Sequence, residues 1–337
     1  MTVAGRIVGP TEPFPRLDAA FVLPPQNPRP YAPGLFERID FGSGADPVCG
    51  TVRWSPLKSL WWSSMLVLWL TVGIVNFSWS AVMIFVILSA LTLCLGHSLG
   101  MHRFLIHGAF DCPRWVERTL LYLGTLVGLG GPFSMMRMHD TRDWAQRMPA
   151  CHPFLSHGQG LARDFWWQLH CKLHLSRPPE FFFPRSLADD RFHRLLQATS
   201  MAQQLPLALL LLVLGGWGWV AWGIGARVAV SIFGHWLVGW FAHNGEAEGN
   251  GRRDWHLAGA STQGFNVPRL GLVTFGECWH NNHHAFPGSA RLGLRDDQWD
   301  PGWTVLRVME RLGLAWNLRT PETLPPRDNL VPIGSTS

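Results

Sequence analysis

The chain has 337 residues, of which 47% are hydrophobic and 15% are charged, whereas a soluble domain carries about 25% charged residues. This composition, with 19 tryptophans, excludes an ordinary soluble protein and indicates a membrane protein, because tryptophan favours the boundary between bilayer and water. The net charge is +5, but no Lys-rich run or basic helix accompanies it, which argues against nucleic-acid binding.

The chain begins with a proline-rich segment. Prolines recur from Pro10 to Pro33 and forbid a long helix there. We therefore expect residues 1–50 to form a cytosolic tail that is disordered or loosely docked, with no signal peptide. The six cysteines include no CxxC pair, and we expect reduced thiols rather than disulfides.

Four apolar stretches are each about as long as a helix that crosses a bilayer, which takes about 20 residues. They cover about residues 61–79, 81–97, 205–222 and 226–243. The connection within each pair is short and has no acidic residue, so we predict two helical hairpins. Arginines concentrate in the other connections, which places both termini and those connections in the cytosol by the positive-inside rule.

A further apolar stretch, about residues 120–136, is shorter and rich in glycine. We predict that it forms a helix lying in the membrane interface, because a crossing there would put the histidines on its two sides in opposite compartments. The predicted fold is an all-α integral membrane protein with four transmembrane helices under a helical cytosolic cap. Residues 51–320 form this domain, and residues 321–337 form a C-terminal tail.

Fifteen histidines are present, and many of them lie at the ends of the predicted spans. Imidazole suits iron, zinc and copper, and several convergent imidazoles are needed to fill a coordination sphere. Neighbouring residues on a helix point about 100° apart, so His283 and His284 can reach two different metal ions. The candidate group at one membrane face consists of His97, His102, His107, His139, His243, His280, His283 and His284.

The other histidines carry weaker signals. His235 lies about two helical turns deeper than His243, and it is either a packed core residue or a functional group. We interpret the rest as solvated surface residues, namely His152, His157, His170, His174, His193 and His256.

Two histidine motifs resemble those of a known family. The run GECWHNNHHAFP at 276–287, followed by SARLGL at 289–294, closely resembles the third histidine box of the membrane fatty-acid desaturases, especially the bacterial acyl-CoA or acyl-lipid delta-9 branch. The run HRFLIH at 102–107 resembles the first box of that family, HRxxxH. Segments 300–303 and 312–316 resemble its C-terminal part, so that the likeness covers about residues 52–318.

This resemblance implies the chemistry. It implies two non-haem iron ions held between the boxes, and O2-dependent removal of two hydrogens from a fatty-acyl chain. An electron donor such as a ferredoxin, a rubredoxin or a cytochrome b5-like protein would be needed. An unactivated methylene has no acidic proton, so a cofactor must carry this reaction. The protein would lie in the inner or plasma membrane of a bacterium, with its site facing the cytosol.

The implied iron ligands depart from the family pattern at two places. The histidine ligands would be His102, His107, His139, His243, His280, His283 and His284. The middle box of the family, HRxHH, reads HDTRD here from His139 to Asp143, and Gly239 stands where the family has a metal-linked asparagine. Asp143 shares a helix face with His139, so we expect Asp143 to bind the same iron.

Arg142 cannot bind a metal, because its guanidinium has no free lone pair. We expect it to pair with Asp140, with Asp143 or with the phosphate of an acyl carrier. The alternative is that this helix turns away from the site, and that Arg142 and Asp143 form a surface pair. Two functional alternatives also stay open: a lipid hydroxylase on the same scaffold, and a metal-poor relative that binds lipid without catalysis.

Overall fold

The structure, a computed structural model, describes residues 38–40, 44–248 and 251–333. Its helices are α1 (Pro56–Leu68), α2 (Trp79–Leu91), α3 (Arg114–Leu126), α4 (Pro132–Arg147), α5 (Pro153–Ser156), α6 (Leu161–His170), α7 (Arg185–Ala188), α8 (Arg191–Ala198), α9 (Gln204–Val220), α10 (Arg227–Glu248), α11 (Gly271–Thr274), α12 (His280–Ala285) and α13 (Pro301–Arg311). The strands are β1 (Ile39–Asp40), β2 (Asp46–Trp54), β3 (Cys171–Arg177), β4 (Glu180–Phe181), β5 (Trp255–Leu257) and β6 (Leu330–Pro332).

A short turn connects the first pair of long helices. Helix α1 continues as a π-helical segment, Trp69–Gly73, and the chain turns at residues 76–78. Ser78 then caps α2 by accepting a hydrogen bond from the backbone N–H of Ala81 at 3.2 Å. A second π-helical segment, Thr92–Ile106, continues α2, and this helical run of 28 residues is long and apolar enough to cross a membrane.

The second pair turns at a different residue from the predicted one. The helical run Gln204–Gly245 is also apolar enough to cross a membrane, and it is broken at Gly216, whose φ of 70° and ψ of −165° are not helical. The predicted turn near residues 223–225 is wrong. Gly223 and Gly225 stay helical because they serve close packing: a Cβ atom on Gly225 would lie 3.0 Å from the carbonyl oxygen of Met65.

The two hairpin turns lie at the same end of the helices. A Cβ atom on Gly218 would approach the carbonyl oxygen of Asn76 to 2.6 Å, which places the two turns side by side. Arg227 therefore lies within the last helix and not in a turn. It is fully buried and donates to the carbonyl oxygen of Gly223 at 2.7 Å, and it also contacts Leu126 and Gln204.

The apolar stretch at 120–136 is two helices rather than the single helix expected. Helix α3 packs closely along the π-helical segment Thr92–Ile106, because a Cβ atom on Gly96 or Gly100 would clash with its backbone at 2.4–2.7 Å. The chain then turns through Gly128 and Gly130, which have positive φ values of 92° and 152°, and α4 returns. Helix α4 thus runs back toward the side of α3 from which the chain came, and its His139 lies beside His107, with ring centroids 4.8 Å apart.

Small antiparallel sheets join the helices of the cap, so the fold is predominantly helical and not all-α. Strand β2 pairs with β3, β1 with β4, and β5 with β6. Both predicted tails contribute to these sheets: β1 and the first part of β2 belong to the segment 1–50, and β6 belongs to the segment 321–337. Backbone pairing satisfies the hydrogen bonds of these short segments, which explains why they pack on the cap. The proline-rich residues 1–37 lie outside the described residues.

Arg38 and Arg327 fasten the same terminal segments by their side chains. Arg38 donates to both carboxylate oxygens of Asp140, at 2.7 and 2.9 Å. Arg327 donates to the carbonyl oxygens of His284 and Ala285, at 2.9 and 2.8 Å.

All six cysteines are free thiols, as expected.

Candidate metal centre

Two groups of histidines converge at the end of the helices opposite the hairpin turns. The first histidine group comprises His102, His107, His139 and His283. The second histidine group comprises His243, His280 and His284. Within each group, one ring nitrogen per histidine lies within 4.8 Å of the ring nitrogens of the others, so that each group could hold a metal ion.

A widened helix brings His102 and His107 together. The backbone N–H of His107 donates to the carbonyl oxygen of His102 at 3.1 Å, which is the i to i+5 bond of a π-helix. The two rings consequently lie on one side, with centroids 4.8 Å apart, although residues five apart diverge on an α-helix. The π-helical geometry therefore accounts for the five-residue spacing of these two histidines.

Helix α12 serves both groups. Its His283 belongs to the first group, whereas His280 and His284, four residues apart on one face, belong to the second. Nε2 of His280 lies 3.1 Å from Nε2 of His243 and 3.0 Å from Nε2 of His284. The three ring nitrogens of the second group therefore point at a common position.

Two buried asparagines hold α12 in place. Oδ1 of Asn281 accepts from the backbone N–H groups of Asp254 and Trp255, both at 2.8 Å. Nδ2 of Asn282 donates to the carbonyl oxygen of Leu292 at 2.8 Å and to Oε1 of Gln298 at 2.7 Å. The asparagines of the box thus position the histidines and do not face the metal groups.

Glu277 orients His102. Its Oε2 lies 2.6 Å from Nδ1 of His102, and its Oε1 accepts from Oγ of Ser98 at 2.6 Å. Burial alone would raise the pKa of Glu277, but His102 and Arg103 hold this pKa well below its usual range. A carboxylate on one ring nitrogen leaves the other, Nε2, as the nitrogen for a metal, an arrangement that recurs in metal sites.

The protonation states of the histidines suit metal binding. Burial lowers the pKa of His139 to about 3 and that of His280 to about 4, so both imidazoles are neutral at pH 7. Nε2 of His107, Nδ1 of His139 and both ring nitrogens of His283 are buried without a hydrogen-bond partner. A neutral imidazole keeps a free lone pair on one of its two ring nitrogens, and such a nitrogen, buried without a hydrogen-bond partner, fits metal ions of the iron, copper and zinc class.

Asp143 lies beside the first histidine group but is not a member of it, because its carboxylate oxygens are not close to all four ring nitrogens of that group. Its Oδ1 is 3.9 Å from Nδ1 of His139, and its Oδ2 is 3.6 Å from Nη2 of Arg147. Burial tends to raise the pKa of Asp143, but His139 and Arg147 lower it below its usual range. Helix α4 therefore faces the site, and the alternative of a surface pair between Arg142 and Asp143 is wrong.

Arg142 is held in a buried network on the side of the second group. Its Nη2 donates to Oε1 of Gln168 at 3.0 Å, and its Nη1 contacts Nε2 of His157. Nδ1 of His157 in turn lies 2.8 Å from Oδ2 of Asp164, which also accepts from Nε1 of Trp236 at 2.8 Å. The expected pairing of Arg142 with Asp140 or Asp143 is not found, because Asp140 pairs with Arg38 and Asp143 with Arg147.

The surface interpretation is wrong for three histidines. His157, His170 and His193 are 2%, 8% and 2% exposed. Polar partners explain their burial: Asp164 for His157, Ser59 for His170 at 2.9 Å, and Glu117 for His193 at 3.2 Å. His174 and His256 are exposed as expected, and His152 is half-buried. His235 lies edge-on to His97, with centroids 5.0 Å apart, outside both histidine groups.

Sequence reasoning missed two residues next to the second group. The ring of His157 stacks on that of His243, with centroids 5.6 Å apart. No sequence pattern around His157 predicts this contact. Gln146 places its Nε2 3.2 Å from Nε2 of His243. A signal existed for Gln146, since it follows His139 by seven residues, which is about two turns along the same face of α4.

The fold and the site together define a class: predominantly helical proteins whose long apolar helices carry, at one end, histidine groups able to bind metal ions. The sequence model described as fatty acid desaturase matches residues 77–296. The chain therefore belongs to the fatty acid desaturase family, whose enzymes are oxidoreductases.

Characterised relatives agree with this assignment. The chain is 34% identical to the sn-1 stearoyl-lipid 9-desaturase of Anabaena variabilis, over 72% of this chain and 86% of that protein. It is 32% identical to the sn-1 stearoyl-lipid 9-desaturase of Synechocystis sp., over 73% of this chain and 74% of that protein. It is also 32% identical to the icosanoyl-CoA 5-desaturase of Limnanthes douglasii, over 73% of this chain and 67% of that protein.

Proposed function

We propose that this protein is an O2-dependent fatty-acyl desaturase that holds two non-haem iron ions in its two histidine groups. The observation that carries the proposal is the convergence of seven imidazoles in two adjacent groups at one end of long apolar helices. His102, His107, His139 and His283 would hold one iron, with Asp143 as an additional ligand. His243, His280 and His284 would hold the other.

The reaction needs a metal because the substrate offers no acidic hydrogen. Desaturation removes two hydrogens from adjacent methylenes, and O2 with two electrons and two protons takes them up as two molecules of water. Iron together with O2 supplies the power to break an unactivated C–H bond. The chain contributes the rest: Glu277 orients His102, Asn281 and Asn282 fix α12, and burial keeps His139 and His280 neutral.

The substrate follows from the location of the site. The histidine groups lie at the ends of the runs Trp79–Ile106 and Gln204–Gly245, which are suited to a bilayer, and a membrane delivers acyl chains. The relatives act on acyl groups carried by lipids or by CoA, as their names state. We therefore propose that the substrate of this protein is also an acyl-lipid or an acyl-CoA.

The proposed topology has four membrane-spanning arms and a cytosolic site. The two hairpin turns, at residues 76–78 and at Gly216, lie together at the end opposite the histidine groups. If the turns face the outside, all seven histidines face the cytosol. The electron donor would then be a cytosolic or membrane-bound carrier such as a ferredoxin, a rubredoxin or a cytochrome b5-like protein.

The test is a lipid profile of cells that express the protein under air. The proposal predicts that cells expressing the unaltered protein or its His256→Ala variant contain fatty-acyl groups with two hydrogens fewer than those of control cells. His256 is exposed and lies outside both groups, so it is the matched control for His284→Ala, which should give no product. A product heavier by one oxygen would instead identify a lipid hydroxylase. Purified protein without iron and without product would identify a non-catalytic lipid-binding relative.

A further inference from the structure

The two histidine groups are unequal. The first offers four imidazoles with Asp143 beside them, whereas the second offers three among the described residues. Arg142 and Gly239 stand where ligands of the second group would be expected from the resemblance to the family. Glycine has no side chain, and a guanidinium has no free lone pair. Three imidazoles leave positions open on an ion that takes more than three ligands.

Gln146 is the side chain that reaches the second group at this point. It is fully buried in α4, with 0% exposure. Its Nε2 lies 3.2 Å from Nε2 of His243, which is the ring nitrogen that also faces His280. Nδ1 of His243 is turned the other way, toward the carbonyl oxygen of Gln263 at 3.3 Å. The amide of Gln146 therefore lies on the side of His243 where a metal would bind.

The amide oxygen of Gln146 has no hydrogen-bond partner among the described residues. Nε2 of Gln146 donates to the carbonyl oxygen of Leu155 at 2.7 Å, but Oε1 is buried without any hydrogen-bond partner. A buried polar atom that stays unsatisfied costs about 1–3 kcal/mol, so such atoms call for a specific partner. The contact between Nε2 and His243 also cannot persist once the lone pair of His243 is given to a metal. A turn of the carboxamide, which gives up the hydrogen bond from Nε2 to Leu155, would then present Oε1 to the same ion.

The positive charge of Arg142 does not prevent this arrangement. The guanidinium contacts Gln168 and His157, and Asp164 lies behind His157 with a carboxylate that is fully buried. This network fixes the cation by its own hydrogen bonds. Non-haem iron(II) accepts oxygen ligands beside imidazoles, so a glutamine oxygen is chemically compatible with the site.

We infer that Gln146 is the fourth protein ligand of the second histidine group and binds its iron through Oε1. This inference rests on the proposed iron centre. Because the second group would then have only neutral ligands, whereas Asp143 adds a negative charge near the first, the second iron binds more weakly. The two irons consequently load in two distinguishable steps, the first histidine group first.

The experiment is an anaerobic Fe2+ titration of the full chain, purified in detergent and stripped of metal with a chelator. The unaltered protein binds two equivalents in two steps. Gln146→Leu keeps the shape but removes the oxygen, and it should weaken the second step by about tenfold or more while leaving the first unchanged. Gln146→Glu supplies a charged oxygen and should strengthen the second step by about tenfold.

The matched control is Gln197→Leu. Gln197 also makes two side-chain hydrogen bonds to a helix start, at Ser134, but it lies away from both histidine groups. It should leave both steps unchanged. Circular dichroism and size-exclusion chromatography establish that each variant is folded before its titration is compared.

The inference is overturned if folded Gln146→Leu binds the second equivalent within twofold of the unaltered protein, or if both steps weaken together. It is also overturned if Gln146→Glu fails to strengthen the second step, and this variant decides the matter alone should Gln146→Leu not fold. If the unaltered protein binds only one equivalent of Fe2+, this inference alone is overturned. If it binds no Fe2+, the iron centre of the proposed function is overturned as well.

Discussion

His157 occupies the space that a side chain at Gly239 would need. A Cβ atom on Gly239 would lie 3.1 Å from Nε2 of His157, closer than most real Cβ contacts. The imidazole is fixed in this position by Asp164 at 2.8 Å. The glycine on the last long helix and the buried histidine of the cap are therefore complementary in shape, and the space beside the second histidine group is filled.

This complementarity predicts the effect of Gly239→Asn, which restores the residue expected from the family. The larger side chain should collide with His157 and lower the melting temperature, since overpacking a well-filled site costs about 1–3 kcal/mol. Adding His157→Ala should recover part of the loss. Thermal unfolding of the two single variants and the double variant measures the coupling between the positions. Strictly additive changes would show that the two residues do not compete for space.

Asp143 and Asp140 should behave differently although they lie on the same helix. Asp143→Ala removes the carboxylate next to His139, so iron bound at the first histidine group should fall together with product. Asp140→Ala breaks the pair with Arg38 and should leave iron unchanged. The readouts are iron per protein and acyl product. Equal and mild losses in both variants would remove Asp143 from the site.

Glu277→Gln should weaken the first iron without unfolding the protein. The substitution removes the negative charge that orients His102 through a 2.6 Å contact, and loss of such a partner typically costs 10- to 100-fold in metal affinity. The second histidine group should be unaffected. Equilibrium dialysis against Fe2+ measures both. Glu310→Gln is the control, because Glu310 pairs with Arg307 on α13 away from the site; equal losses in the two variants would speak against an orienting role.

The topology predicts where reporter fusions become accessible. Fusions after Gly50 and Ser156 should report the cytosol, and fusions after Asn76 and Gly216 should report the outside, because the latter two mark the hairpin turns. Alkaline phosphatase and green fluorescent protein fusions together give the side at each point. An outside location for Ser156 would require a membrane crossing between His107 and His139, which would separate two members of the first histidine group.

Much of the site could be predicted from the spacing of histidines in the sequence. The run from His280 to His284 divides between the two groups as the geometry of a helix demands. The hairpin turn could not be placed, because glycines at 215, 216, 218, 223 and 225 are equivalent in sequence and only packing decides which of them bends.

His157 and the short strands were beyond sequence reasoning for a related reason. The burial of His157 depends on Asp164, a near neighbour along the chain, and on Gly239, which reaches it from the last long helix. Strands β1 and β4 cover two residues each, too few to show a periodicity. The packing of His157 against Gly239 and the pairing of β1 with β4 both join distant parts of the chain, so local sequence patterns do not predict them.

The most direct test of the account combines iron content with the mass of the acyl product, in the unaltered protein and in His284→Ala. His284 completes the second histidine group with His243 and His280, and it lies outside the first. The account predicts that the unaltered protein carries iron in both groups and yields acyl chains with two hydrogens fewer, and that His284→Ala loses the second iron and the product. Full iron content with full product in His284→Ala would contradict it.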